Sequence, residues 1–157
     1  MLFLLLSLYV LLITVLQTVV FSRLQIFGVS PDLFLVSVII CAALDKGGRS
    51  FGFALVLGLI KDLLSFGSYF NVVTKLLVAA MINLSKEKFV WNKFLLCLSF
   101  VLVISPALFA IEGIMIMSNR VNEIIWAQFI FKTFIATIYN LLAVFMLYPL
   151  VKKVCHD

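Results

Sequence analysis

Charge is scarce in this chain of 157 residues. Only 12% of the residues are Asp, Glu, Lys or Arg, and 65% are hydrophobic, whereas a soluble domain has about 25% charged residues. A soluble fold of this size needs polar residues to cover its outside. The shortage therefore excludes an ordinary soluble domain and predicts a single integral membrane domain over residues 1–157.

The residues that build common catalytic and metal sites are scarce as well. The one histidine, His156, is next to last in the chain, which excludes a His-based catalytic triad and a His-rich metal site. The three cysteines form no Cys-x-x-Cys pair. Gly47-Gly48 lacks the spacing of a phosphate-binding loop. The sequence therefore predicts a protein that is not an enzyme and has no cofactor or metal.

Six long apolar runs occupy most of the chain and predict an all-α membrane protein with six transmembrane helices. The first run has no basic residues before it and no Ala-x-Ala cleavage site after it, so we expect a retained helix rather than a signal peptide. The six predicted spans are 2–21, 29–44, 51–66, 70–84, 94–117 and 126–151.

The second run is the shortest. Its apolar part, 33–44, has 12 residues and as a helix would be about 18 Å long, against a hydrocarbon core of about 30 Å. The preceding residues predict an earlier helix start, with Ser30 as N-cap, Pro31 at the first helical position and Asp32 in the first turn. The second span is therefore expected to start at Val29 and to be thin.

A re-entrant hairpin formed by the second and third runs is the alternative to two full spans. Its tip, 45–49, holds three charged residues, and charges at membrane depth are costly. Six full spans therefore remain the prediction.

Basic residues set the predicted orientation of the six spans. The N-terminus, the gaps 45–50 and 85–93 and the tail share one side and hold seven Lys and Arg residues, against three near the other side. Because cytoplasmic loops are rich in Lys and Arg, both termini are predicted in the cytoplasm. The net charge is +5, but the basic residues form no stripe with interleaved aromatic residues. Nucleic acid is therefore not an expected partner.

Ionisable residues inside the predicted spans gather in the outer half of the membrane. Counted from the cytoplasmic ends, Asp62 lies about 18 Å deep and Lys75 about 15 Å deep, at 1.5 Å per residue. Glu112 and Lys132 lie near the outer ends of the fifth and sixth spans. An unpaired charge there costs at least about 2.5 kcal/mol, so we predict the pairs Asp62 with Lys75 and Glu112 with Lys132. Such pairs could have a structural role, in which they fix the position of one helix against another, or the lysines could extend outward to the membrane surface. In the functional interpretation the charged residues line a cavity or a groove for a partner.

Small residues follow one face of the third span. Ala54, Gly58 and Asp62 are spaced four residues apart and therefore share one face of a helix. Small side chains let two helix backbones approach closely in lipid. The stripe predicts a packing seam that directs Asp62 into the bundle.

Two motifs resemble the family of rod shape-determining protein MreD. The first is 30–36, Ser-Pro-Asp-Leu-Phe-Leu-Val, which opens the second span; the second is 58–65, Gly-Leu-Ile-Lys-Asp-Leu-Leu-Ser, which closes the third. The family pattern falls on Pro31 with Asp32 and on Gly58 with Asp62. Where family members have a Leu-Gly pair soon after that Asp, this chain has 69–71, Tyr-Phe-Asn.

The resemblance implies a non-catalytic scaffold of the bacterial cell-elongation machinery. Its fold would be similar to that of the substrate-binding components of energy-coupling-factor vitamin transporters. It would bind the single-span protein MreC through helix packing in the membrane lipid. Through MreC it would act with a SEDS-family glycosyltransferase, a penicillin-binding transpeptidase and filaments of MreB.

A substrate-binding component of a vitamin-type uptake transporter is the second hypothesis. Such components dock their motor through small residues, typically alanines, on the first helix. The first run, 2–21, contains neither Ala nor Gly, which disfavours transport. The third hypothesis is a membrane-embedded enzyme such as an acyl or glycosyl transferase. The chain lacks a clustered nucleophile and base, which disfavours it.

Overall fold

A computed structural model describes residues 2–45, 48–65, 69–87, 92–118 and 126–155. Gly47 and His156, singled out above, lie outside the described residues. Over the described ranges the protein is all-α, as predicted, and its one β-like feature is an isolated bridge between Ile26 and Val29. The helices are α1 (Leu2–Val15), which continues as a π-helical segment (Leu16–Val20), α2 (Leu33–Leu44), α3 (Arg49–Leu64), α4 (Phe70–Ser85), α5 (Lys93–Ser118) and α6 (Trp126–Cys155).

The short helix α2 is the centre of the bundle. All 12 of its residues are buried, and it packs against α3, α4, α5 and α6. Around it, α3 packs most extensively on α4, α5 packs on α6, and α1 contacts α6. Because α2 is enclosed by protein, its length of about 18 Å has no hydrocarbon thickness to match.

Helix α2 begins later than predicted. Its first residue is Leu33, and its N-cap is Asp32, whose carboxylate accepts a hydrogen bond from the backbone N–H of Leu35 at 3.0 Å. The prediction that Ser30 is the N-cap and Pro31 the first helical residue was therefore wrong. A carboxylate at the N-cap satisfies a helix-end donor and faces the positive end of the helix dipole, so Asp32 is a stabilising cap for a helix that starts at Leu33.

Large apolar side chains cover the outside of the peripheral helices. Exposed examples are Leu11 on α1, Leu63 on α3, Leu84 on α4, Val103 on α5 and Phe134 on α6. Two helical segments of the described chain, Lys93–Gly113 and Gln128–Val154, are long and apolar enough to cross a membrane. Shorter apolar helices cover Leu5–Val20, Leu33–Leu44 and Phe70–Ser85.

Candidate functional site

A three-charge cluster joins three helices at the end of the bundle where α2 begins. The Lys61 ammonium lies 2.6 Å from Asp32 Oδ2 and 3.4 Å from Glu112 Oε1. Lys61 belongs to the last turn of α3, Asp32 caps α2, and Glu112 lies in α5. One lysine of α3 therefore bridges two carboxylates that belong to two other helices.

The predicted pair of Glu112 with Lys132 was wrong. Glu112 contacts Lys61, whereas Lys132 is exposed on α6. The last turn of α3 lies beside the start of α2, so the Lys61 ammonium reaches both carboxylates. Lys61, one of the three basic residues near the outer side, was not part of either predicted pair.

Asp62 caps α4 and makes no direct ion pair with Lys75, so that predicted pair was also wrong. Its two carboxylate oxygens accept hydrogen bonds from the backbone N–H groups of Asn71 and Val72 at 3.1 and 3.0 Å, and from Asn71 Nδ2 at 2.9 Å. The first N–H groups of a helix have no partner inside the helix, and the positive end of its dipole attracts a carboxylate. The α4 N-terminus thus takes the place predicted for the lysine.

Lys75 reaches the same network through an intermediate amide. Its ammonium donates to Asn71 Oδ1 at 3.3 Å, and its side chain is only 1% exposed. Electrostatic attraction also acts on it from Asp32, Glu112 and Asp62. Asn71 therefore links the buried lysine to the carboxylate of Asp62.

The small-residue stripe of α3 is a packing seam, as predicted. Ala54, Gly58 and Asp62 are all buried. A Cβ atom at Gly58 would lie 2.6 Å from the Cα atom of Val72, which is closer than real Cβ atoms come. The backbones of α3 and α4 therefore meet one turn from the Asp62 cap, and this contact requires glycine.

A cavity of about 280 Å³ lies beside the three-charge cluster. Lys61 and Glu112 line it, and their side chains are 21% and 37% exposed. Ser105 and Asn140 line it too and are buried. The cavity thus combines partly exposed charges with a buried hydroxyl and a buried amide.

Asn140 ties the lining of this cavity to the start of α2. Its Oδ1 atom accepts from the backbone N–H of Asp32 at 2.7 Å, and its Nδ2 atom donates to Ser105 Oγ at 2.7 Å. One amide of α6 therefore fixes the loop before α2 and contacts α5. These bonds hold the lining in one arrangement.

Two polar contacts hold α1 and its π-helical segment against α2. Gln17 donates to the carbonyl of Pro31 and accepts from the backbone N–H of Leu33, both at 2.9 Å. The Tyr9 hydroxyl lies 2.8 Å from Ser37 Oγ. In a bundle whose surfaces are apolar, such bonds set the position of one helix on another.

A second polar network joins helix ends at the opposite end of the bundle. The Asp45 carboxylate accepts from the backbone N–H of Ser50 at 2.7 Å, so it caps α3 as Asp62 caps α4. Lys86 donates to the Asp45 carbonyl and to Asn83 Oδ1. Asn83 in turn donates to Ser50 Oγ at 2.9 Å. This network joins the end of α2, the start of α3 and the end of α4.

Three amide side chains of the site were not predicted from the sequence: Gln17, Asn71 and Asn140. Each is an amide side chain inside a predicted apolar span, which is the signal that could have identified them. Each satisfies a backbone or charged group that apolar neighbours would leave without a partner.

No family model, curated protein or solved structure matches the chain.

Proposed function

We propose that the protein crosses the bacterial cytoplasmic membrane six times, with both termini in the cytoplasm. The observation that carries this proposal is the distribution of side chains. Charged groups such as Asp62 and Lys75 are buried in the bundle, while large apolar side chains are exposed on all five helices around α2. In water this arrangement would leave an extended apolar surface, whereas in lipid it matches the solvent.

The proposed role is that of a non-catalytic scaffold in the cell-elongation machinery, as in the MreD family. Residues that carry the family resemblance make contacts that position helices. Asp32 caps α2, Asp62 caps α4, and Gly58 allows α3 and α4 to meet. Tyr69, in the segment that replaces the Leu-Gly pair of the family, has a φ of 49°. The departure from the family pattern therefore falls where a residue other than glycine adopts a left-handed conformation.

The proposed mechanism is helix docking in lipid. A rigid bundle with an apolar exterior offers surfaces on which the transmembrane helix of an MreC-like partner packs. Binding one state of an assembly more tightly than another shifts its population without any chemical step. In this way the protein would regulate the glycosyltransferase and the transpeptidase through MreC.

Co-purification from membranes tests this role. The full chain, tagged and extracted in mild detergent, is expected to retain the MreC-like protein of the same cell in a fixed ratio. A tagged membrane protein of similar size and unrelated function is the control. Equal recovery of the MreC-like protein with both would contradict the proposal.

A substrate-binding component for uptake is the second candidate, and the cavity beside Lys61 and Glu112 is the observation that favours it. Its volume of about 280 Å³ lies just below the roughly 300–1,000 Å³ of sites for drug-sized ligands. A vitamin that remained bound through purification, together with a pair of ATPase subunits, would favour this candidate over the scaffold.

A further inference from the structure

The buried and partly buried charges around the cavity do not balance. Among the described residues, two carboxylates and one ammonium group line the cavity, namely Asp32, Glu112 and Lys61. Asp62 and Lys75, one charge of each sign, lie nearby and leave this difference unchanged. The cluster therefore carries one negative charge in excess.

Glu112 is the carboxylate of the cluster whose charge is least compensated. Lys61 lies 0.8 Å closer to Asp32 than to Glu112, at 2.6 Å against 3.4 Å. Asp62 is engaged by the N-terminus of α4. The second oxygen of Glu112 accepts no hydrogen bond from the described part of the chain, and its side chain is the most exposed of the cluster. A group that enters the cavity therefore meets this carboxylate.

We propose that Glu112 receives a Lys or Arg side chain from the transmembrane helix of a partner protein. This inference rests on the proposed scaffold function and names the chemistry of its docking. A lone carboxylate inside a membrane is costly, and so is a lone basic residue in the span of a partner. Pairing the two offsets both costs, and a charge-assisted hydrogen bond adds direction.

The cavity suits one long basic side chain. Leu108 and Phe109 line it and offer an apolar wall to a methylene stem. Its volume of about 280 Å³, just below the roughly 300–1,000 Å³ of sites for drug-sized ligands, has room for one long side chain. Glu112 lies six residues before the end of α5 at Ser118, about 9 Å along the helix. The partner's basic residue is therefore expected at a similar depth in the outer half of its own span.

The test measures the dissociation constant of the purified full chain and the MreC-like single-span protein in detergent. Glu112→Gln is expected to weaken binding on the order of tenfold, which corresponds to about 1.4 kcal/mol. Glu112→Asp keeps the charge and is expected to retain most of the affinity. Glu87→Gln, which removes an exposed carboxylate after α4, is the matched control and is expected to bind as the original chain does.

A charge swap identifies the basic residue of the partner. Glu112→Lys is expected to abolish binding, and replacing the matching Lys or Arg of the partner by Glu is expected to restore it. Restored binding also shows that the variant is folded. If no single Lys or Arg replacement in the partner span changes the affinity, the inference is wrong.

Two further outcomes separate the alternatives. If the original chain binds the single-span protein and Glu112→Gln binds it equally well, the inference fails while the scaffold function stands. If the original chain does not bind it at all, both the inference and the scaffold function fail.

A lipid headgroup is the other source of a cation. If phosphatidylethanolamine nanodiscs stabilise the original chain but not Glu112→Gln, and partner affinity is unchanged, the cavity serves lipid and the inference is overturned.

Discussion

Replacing Gly58 by Ala tests the contact on which the α3 and α4 hairpin depends. The new Cβ atom would lie 2.6 Å from Val72 Cα and 3.1 Å from the Asn71 carbonyl oxygen, both backbone atoms. Ordinary contacts begin at 3.4 Å, so the helices must separate by about 0.8 Å. Backbone atoms of a packed helix cannot turn aside as the end of a flexible side chain can.

The separation would also disturb the cap of α4. Asp62 Oδ1 and Oδ2 lie 3.1 and 3.0 Å from the backbone nitrogens of Asn71 and Val72. A shift of about 0.8 Å would lengthen both bonds beyond the 2.7–3.2 Å range of N–H···O hydrogen bonds. Overpacking costs about 1–3 kcal/mol and weakening bonds to a charged acceptor adds to it. We expect Gly58→Ala to lower the free energy of unfolding by about 2–4 kcal/mol.

Gly52→Ala is the matched control, because Gly52 lies in the same helix and a Cβ atom there meets nothing within 4 Å. It is expected to keep the stability or raise it by up to about 1 kcal/mol, the helix preference of Ala over Gly. Unfolding by sodium dodecyl sulfate in mixed micelles, followed by circular dichroism, measures both variants. Equal stability of the two variants would refute the close approach of α3 and α4.

Two further pairs of variants test the polar contacts with the same unfolding assay. Asp62→Leu is expected to cost about 3 kcal/mol or more, because it leaves three donors without their acceptor. Lys75→Leu is expected to cost less, about 1 kcal/mol, because it removes one long hydrogen bond and the attraction of nearby carboxylates but also relieves the cost of burying an ammonium group. Equal losses would indicate a direct ion pair instead. Tyr9→Phe removes a buried hydrogen bond to Ser37 and is expected to cost about 0.5–1.5 kcal/mol. Tyr139→Phe, whose hydroxyl makes an exposed contact at 3.5 Å, is its control, and a larger loss there would contradict the role of Tyr9.

The helices could be predicted from the apolar runs because charged or turn residues separate each run from the next. Four predicted spans, the third to the sixth, agree with α3 to α6 within two residues at their N-terminal ends. The start of α2 was missed, because three consecutive residues, Ser30 to Asp32, all suit a helix start. Local preference alone does not decide among them. The hydrogen bonds of Gln17 and Asn140 to the segment 31–33 favour a start at Leu33.

The charge pairs could not be predicted because sequence counting gives depth in the membrane but not rotation about a helix axis. Depth placed Glu112 and Lys132 near the same level, yet Lys61 lies closer to Glu112 in space. In α3 the small-residue stripe did supply the rotation, so the burial of Asp62 was predicted correctly. The true partner of Asp62 was the N-terminus of a neighbouring helix, which has no charge in the sequence.

Cysteine labelling tests the central claim that the bundle crosses the membrane six times. In a variant without its native cysteines, Leu24→Cys and Tyr69→Cys are expected to react with a membrane-impermeant maleimide from outside the cytoplasmic membrane. Arg49→Cys and Glu87→Cys are expected to react only after that membrane is permeabilised. All four positions are exposed in the structure. Labelling of Arg49→Cys from outside, or of Leu24→Cys and Glu87→Cys from the same face, would contradict the account.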